Sequence, residues 1–81
     1  MPYWYVITDE GRGRYGELSV LGQSEGLSTS QEWERGLLGQ MLDRGEVSGE
    51  DLLEGTGLDA GRLLDRLETM SRRGYVQQLS G

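Results

Sequence analysis

The spacing of glycines and helix caps between Ser48 and Val76 constrains the fold more than any other feature of the sequence. Ser48 is a preferred N-cap residue, and an acidic residue three positions later completes the pattern of a helix start. A Gly-Thr-Gly run at 55–57 ends that helix, and Asp59 can cap the next one. Gly74 ends the second helix, and the two residues after it favour a strand. The segment therefore predicts two helices joined by a tight turn and followed by a strand.

A longer helix is predicted upstream of this pair. Ser28 with Gln31, or Thr29 with Glu32, can form a capping box, so this helix should begin near Thr29 or Ser30 and run to Arg44. Its apolar residues share one arc, and a short strand at Glu46 and Val47 should follow it. The apolar positions of the three predicted helices are Trp33, Leu37, Leu38, Met41 and Leu42, then Leu52 and Leu53, then Leu63, Leu64, Leu67 and Met70.

The N-terminal segment Tyr3–Thr8 is composed of residues that favour strands. Its alternate residues place apolar side chains on both faces, so the strand should be covered on both sides or lie at an interface. The glycines at 11, 13 and 16 then spell a dinucleotide-binding pattern, but the βαβ context that this pattern requires is missing. Two interpretations of the segment stay open. One is a glycine-rich hairpin turn leading to a second strand over residues 15–21, and the other is a short helix that starts at Thr8.

The order of these signals resembles the winged-helix family. An acidic residue before a leucine, the Thr-Gly-Leu turn at 56–58, the spaced leucines and the Gly-Tyr-Val sequence at 74–76 carry the resemblance, which covers residues from about Gln31 to Leu79. The segment is similar to MarR-like and IclR-like regulators and to the C-terminal domain of DNA-processing protein A. The resemblance implies an α+β fold, a three-helix winged helix-turn-helix with a small antiparallel sheet that includes the N-terminal strand.

The sequence departs from the family after its last helix. Only a few residues follow the predicted final strand, whereas a winged helix turns back through a wing into a partner strand. The segment Tyr3–Thr8 resembles that partner strand, so we expect it to pair antiparallel with Tyr75–Leu79 and to leave Asp9–Gly16 as a flexible tip. The expected organisation is one domain over residues 1–81, with an N-terminal strand and hairpin extension over 1–27 and a helical core with a C-terminal strand over 28–81.

Composition limits the chemistry that the chain can perform. It contains no cysteine, histidine or lysine, so the usual nucleophiles, bases and zinc ligands are missing, and we expect neither enzymatic activity nor a metal or other cofactor. No apolar run approaches the roughly 20 residues that span a bilayer, and no signal peptide is evident. A cytoplasmic protein without membrane association is expected. The small core, the two-faced strand and the glycines of the first long helix predict a homodimer.

The charge distribution leaves two functions open. The net charge is −6, yet residues 57–81 carry four arginines against three acids, while residues 30–56 carry two arginines against seven acids. One hypothesis is a DNA-binding transcriptional regulator whose helix at Leu58–Arg73 reads the major groove, since arginine can bind guanine through two hydrogen bonds. The alternative is an adaptor that binds protein and no nucleic acid, whose acidic helices meet a basic partner. The candidate DNA-binding residues are Asp59, Arg62, Arg66, Thr69 and Arg73, with Arg12 and Arg14 near phosphates or the minor groove.

Overall fold

The computed structural model describes residues 4–79, which form four helices and three short strands. In chain order these are β1 (Trp4–Ile7), α1 (Asp9–Ser24), α2 (Thr29–Arg44), β2 (Glu46–Ser48), α3 (Gly49–Thr56), α4 (Ala60–Arg72) and β3 (Val76–Leu79). The strands form one antiparallel sheet in the order β2-β1-β3. The predicted α+β class is confirmed. The predicted count of three helices is wrong, because α1 is a fourth helix within the described residues.

The segment that follows β1 is helical, so the predicted hairpin and second strand over residues 15–21 are wrong. The competing interpretation, a short helix that starts at Thr8, is confirmed at its start, but the helix is 16 residues long. Thr8 Oγ1 accepts a hydrogen bond from the Gly11 amide at 3.0 Å, and two acidic residues occupy the first turn, where the helix dipole stabilises them. Leu18 is fully buried and Tyr15 packs against the same core. This packing outweighs the low helix propensity of the glycines in α1.

Gly11 marks the closest approach between α1 and the sheet. A Cβ atom at this position would lie 2.1 Å from the Tyr75 carbonyl oxygen and 2.7 Å from Ile7 Cγ1. Thr8 holds the same junction, because its hydroxyl donates to the Gly74 carbonyl and its amide donates to the Tyr75 carbonyl at 3.0 Å. Gly11 lowers the helix propensity of this segment, but its lack of a side chain allows α1 to pack closely against the sheet.

The sheet confirms the predicted pairing of the N-terminal strand with the C-terminal one. β1 lies in the centre and pairs antiparallel with β3, with Trp4 opposite Leu79 and Ile7 opposite Val76. Trp4 and Leu79 therefore lie at one end of the sheet. The helix α1 begins at the opposite end, where Thr8 contacts Gly74. The predicted flexible tip at 9–16 is wrong, because these residues form the first turns of a helix packed on the core. Of the predicted strand Tyr3–Thr8, Tyr3 lies outside the described residues.

The remaining helix boundaries follow the predicted caps. Ser28 forms a capping box with Gln31 at the start of α2, Ser48 caps α3, and Asp59 caps α4. Glycines with positive φ lie after the three helices α2, α3 and α4, at Gly45, Gly57 and Gly74. The sequence therefore contains its own start and stop signals for these three helices.

The core lies between the helices and one face of the sheet. Its buried apolar residues are Tyr5, Ile7, Leu18, Leu37, Leu38, Met41, Val47, Leu52, Leu63, Leu67, Met70 and Val76. Two leucines expected in the apolar arcs lie at their margins instead, since Leu42 is 38% exposed and Leu64 is 53% exposed. On the outer face of the sheet Trp4 is 39% exposed, so this face of β1 is open, whereas Tyr5 and Ile7 are covered. Among residues 4–79 no helix combines the length and the apolar character needed to cross a membrane.

Candidate functional site

Helix α4 presents the arginines of the predicted DNA-binding stripe on the flank that faces α2. Arg66 donates a hydrogen bond to Ser30 Oγ at 3.3 Å, and Thr69 donates to the Asp65 carbonyl of its own helix at 3.0 Å. A hollow of about 170 Å³ lies between the two helices and is lined by Ser30, Glu34, Arg66, Thr69, Met70 and Arg73. The structure therefore brings three of the predicted site residues, Arg66, Thr69 and Arg73, to one hollow.

The first two residues of the predicted stripe lie at the start of α4 and contact each other. Asp59 accepts a hydrogen bond from the Arg62 amide at 2.9 Å, and its carboxylate lies 3.6 Å from Arg62 Nε. Both side chains are largely exposed, so this ion pair contributes little to stability and Arg62 can exchange partners. Its cationic charge is nevertheless offset by a neighbouring carboxylate.

The surface of α4 that points straight away from the core differs from the arginine flank. Helical residues advance by about 100° each, so Gly61, Asp65, Glu68 and Arg72 lie opposite the buried Leu63, Leu67 and Met70. Glu68 accepts a hydrogen bond from the Arg72 guanidinium. The outermost face of α4 therefore carries two carboxylates and one arginine that is already paired.

Arg12 and Arg14 lie on the ordered helix α1 rather than on the flexible tip that was predicted for them. Arg12 is exposed. Arg14 donates to Glu34 Oε2 through Nη2 at 3.2 Å and through Nε at 3.4 Å, and its Nη1 lies 3.4 Å from Glu17 Oε2. Its guanidinium also stands over the Tyr75 ring, 5.9 Å from the centroid. These contacts identify Arg14 as a structural cation that joins α1, α2 and the start of β3.

The Arg14–Glu34 pair is mostly shielded from solvent, with the Glu34 side chain 11% exposed. The hydrogen bond to Glu34 is the main cause that raises the pKa of Arg14 above its usual value, against the opposing effect of partial burial. Glu34 Oε1 has no hydrogen-bond partner among the described residues. The Glu34 carboxylate therefore depends on Arg14 for its compensation.

A second groove lies between α2 and α3, and it is not among the sites that the sequence predicted. It has a volume of about 340 Å³ and is lined by Glu32, Trp33, Gly36, Gln40, Gly55 and Thr56. Gly36 opens this groove, because a Cβ atom there would contact nothing within 4 Å. Trp33 is half-buried and lines the groove.

The groove borders the most acidic part of the chain. Residues 45–61 contain five carboxylates and none of the eight arginines, and α3 presents Glu50 and Glu54 one turn apart on its exposed side. The signals that could have indicated it are Trp33 on the margin of an apolar arc and the glycines at 36 and 55, which both line it. Whether these three residues line one groove depends on how α2 and α3 pack against each other, which the sequence pattern does not specify.

Residues 4–79 contain no group of three or more carboxylates close enough to hold a metal ion. Comparisons of the chain with protein-family models, with curated proteins and with solved structures found no match.

Proposed function

We propose that the protein is a winged-helix-like interaction module that binds a basic segment of a partner protein in the groove between α2 and α3. The observation that carries this proposal is the composition of the groove, in which the Trp33 indole lies beside Glu32 and next to a segment without any arginine. A lysine or arginine side chain placed there would contact an aromatic face and be attracted by carboxylates at the same time.

The arrangement of the arginines supports protein binding over nucleic-acid binding. Arg14, Arg62 and Arg72 each form an ion pair with a carboxylate of the same chain, and the net charge is −6. DNA binding needs cations that replace the counterions around phosphate. Cations that are already paired must first lose their intramolecular partners, so they contribute less to such binding.

The test is a calorimetric titration of the protein with a lysine-rich peptide and with a glutamate-rich peptide of equal length. We expect the basic peptide to bind and the acidic one to give no heat above dilution, with affinity falling as salt rises. Gly36→Leu should fill the groove and weaken binding at least about tenfold, which corresponds to about 1.4 kcal/mol. Equal affinity for both peptides would contradict the proposal.

Two variants make the result specific to this groove. Gly13→Leu is the matched control, because Gly13 is also an exposed helical glycine whose Cβ position is open, but it lies on α1. Gly36 also borders a hollow between α1 and α2, so Trp33→Leu separates the two, since Trp33 lines only the α2–α3 groove of these two. Loss of binding in Gly36→Leu with unchanged binding in Trp33→Leu would assign the site to the other hollow.

A second candidate function, DNA binding by a regulator, is supported by the arginine flank of α4. Arg66, Thr69 and Arg73 lie around one hollow, and Arg62 extends the flank by one turn. A selected pool of duplex DNA titrated at two salt concentrations tests it. If DNA binds, Arg62→Ala should weaken a cognate site by about 1–3 kcal/mol and random sequence little. Arg12→Ala should weaken both alike if Arg12 contacts phosphate. The absence of binding at low salt would eliminate this candidate.

A further inference from the structure

The outer edge of β3 is open to pairing with another strand. Within the described residues β3 has a neighbour, β1, on one side only. The Thr8 amide donates to the Tyr75 carbonyl, and antiparallel strands alternate their hydrogen-bonded residues. Tyr75, Gln77 and Leu79 therefore direct their backbone groups towards β1. The amides and carbonyls of Val76 and Gln78 point away from it, towards the open side.

This edge lacks two of the features that usually prevent edge-to-edge association, a charge and a proline. β3 reads Val-Gln-Gln-Leu and carries neither a charge nor a proline. Natural edge strands are commonly protected by charges, prolines or short length. The opposite edge of the sheet has one of these two features, because β2 includes the exposed Glu46. β3 is therefore the edge of the sheet that can accept a further strand.

An apolar helix flank lies beside the same edge. Leu64 of α4 is 53% exposed, and a groove of about 390 Å³ between α4 and the sheet is lined by Tyr5, Leu64, Leu67, Glu68, Ser71 and Gln78. Gln78 faces the helix side of the sheet, since it is the register partner of the buried Tyr5. Alternate side chains of an added strand would point to this side, towards Leu64.

We propose that β3 pairs antiparallel with β3 of a second copy of this chain, around a twofold axis at Gln77. In this register Val76 of one copy lies opposite Gln78 of the other, so the outward-pointing backbone groups of both strands are satisfied. The same symmetry brings the two Leu64 side chains to one side of a six-stranded sheet. An isologous contact of this kind closes on itself as a dimer.

The absence of charge on β3 disfavours a basic or acidic peptide as the occupant of this edge and favours a second copy of the chain. Two chains of net charge −6 repel each other, so self-association requires a surface without charge, and β3 is such a surface. Among the described residues that line the adjacent groove, the one carboxylate belongs to Glu68, which is paired with Arg72. This edge therefore offers little attraction to a charged segment, in contrast to the α2–α3 groove, and the two proposals are independent.

Sedimentation equilibrium over a range of concentrations tests the dimer. We expect the wild-type chain to dimerise reversibly at high micromolar concentration. Gln78→Pro removes an amide that points to the open side, and Leu64→Gln removes the apolar contact, so each should raise the dimer dissociation constant at least about tenfold. Val20→Gln is the matched control, because Val20 is 66% exposed on α1, away from β3, and it should change nothing.

A crosslink provides a second measurement that does not depend on whether Gln78→Pro folds. The chain has no cysteine, so Gln77→Cys introduces a single thiol. The proposed axis places the two introduced thiols in a non-hydrogen-bonded pair, where side chains approach closely enough for a disulfide. Gln77→Cys should form a disulfide dimer much faster than Gln23→Cys, whose position on α1 is exposed. Equal crosslinking rates, or a wild-type monomer at all concentrations, would overturn the proposal.

Discussion

At the scale of single residues, Gly11 and Gly13 show how two glycines in one helix can have opposite roles. A Cβ atom at Gly11 would collide with the Tyr75 carbonyl, whereas the Cβ position at Gly13 is open. We expect Gly11→Ala to lower the free energy of unfolding by about 2 kcal/mol or more, as overpacking does. Gly13→Ala should raise it by about 0.5–1 kcal/mol through helix propensity. Urea unfolding of both variants checks this, and an equal change in the two would show that α1 does not pack closely on the sheet.

The shielded pair of Arg14 and Glu34 gives a second prediction at the residue scale. Arg14→Met should destabilise the protein by roughly 2 kcal/mol, because it leaves the Glu34 carboxylate without its compensating cation. The double variant with Glu34→Met should recover most of this loss, since neither charge then remains. A double-mutant cycle from urea unfolding measures the coupling, and additive single effects would contradict it.

The pH dependence of the stability that the Arg14–Glu34 pair provides follows from the direction in which the pKa of Arg14 is shifted. Its pKa is raised in the folded protein, mainly by the hydrogen bond to Glu34. The stabilisation is therefore fully present below the unfolded pKa and is lost only as the pH rises through the folded value in strong alkali. The Arg14 guanidinium should thus cause no change in stability across neutral pH.

At the scale of elements, Thr8 joins β1, α1 and the turn before β3. Its hydroxyl accepts from the Gly11 amide and donates to the Gly74 carbonyl, so one side chain both caps a helix and links distant segments. Thr8→Val keeps the shape but removes both hydrogen bonds. We expect a loss of about 1–2 kcal/mol, with faster amide exchange in the first turn of α1. Ser28→Ala is the comparison, because its capping box is local to α2 and its loss should leave α1 unaffected.

At the scale of the whole molecule, the pairing of β1 with β3 brings the first and last strands of the described chain next to each other. Trp4 lies opposite Leu79, so an engineered loop of about five residues can join these strands as a hairpin. A circular permutant opened between α1 and α2, near Gly26, should keep the helical circular dichroism. Its unfolding free energy should lie within about 1 kcal/mol of the parent, since loop closure changes little. A permutant opened at Gly13 is the control and should fail to fold, because it interrupts α1.

The sequence alone determined those parts of the molecule that depend on local signals. Three helices begin at Ser28, Ser48 and Asp59 because capping is a contact between residues three positions apart. Their ends at glycines with positive φ are equally local. The β1–β3 pairing was also predictable, because the strand after Gly74 needed a partner and Tyr3–Thr8 was the obvious candidate.

Tertiary structure decided what local signals left open. Whether Asp9–Ser24 forms a hairpin or a helix was settled by burial of Leu18 and by the close contact at Gly11, which no propensity encodes. The same packing turned Arg14 from a predicted phosphate contact into a structural cation paired with Glu34. It also created the groove beside Trp33, because a groove exists only where two helices meet at a particular separation and orientation. Caps and apolar periodicity act within a few residues, whereas these features depend on segments far apart in the chain.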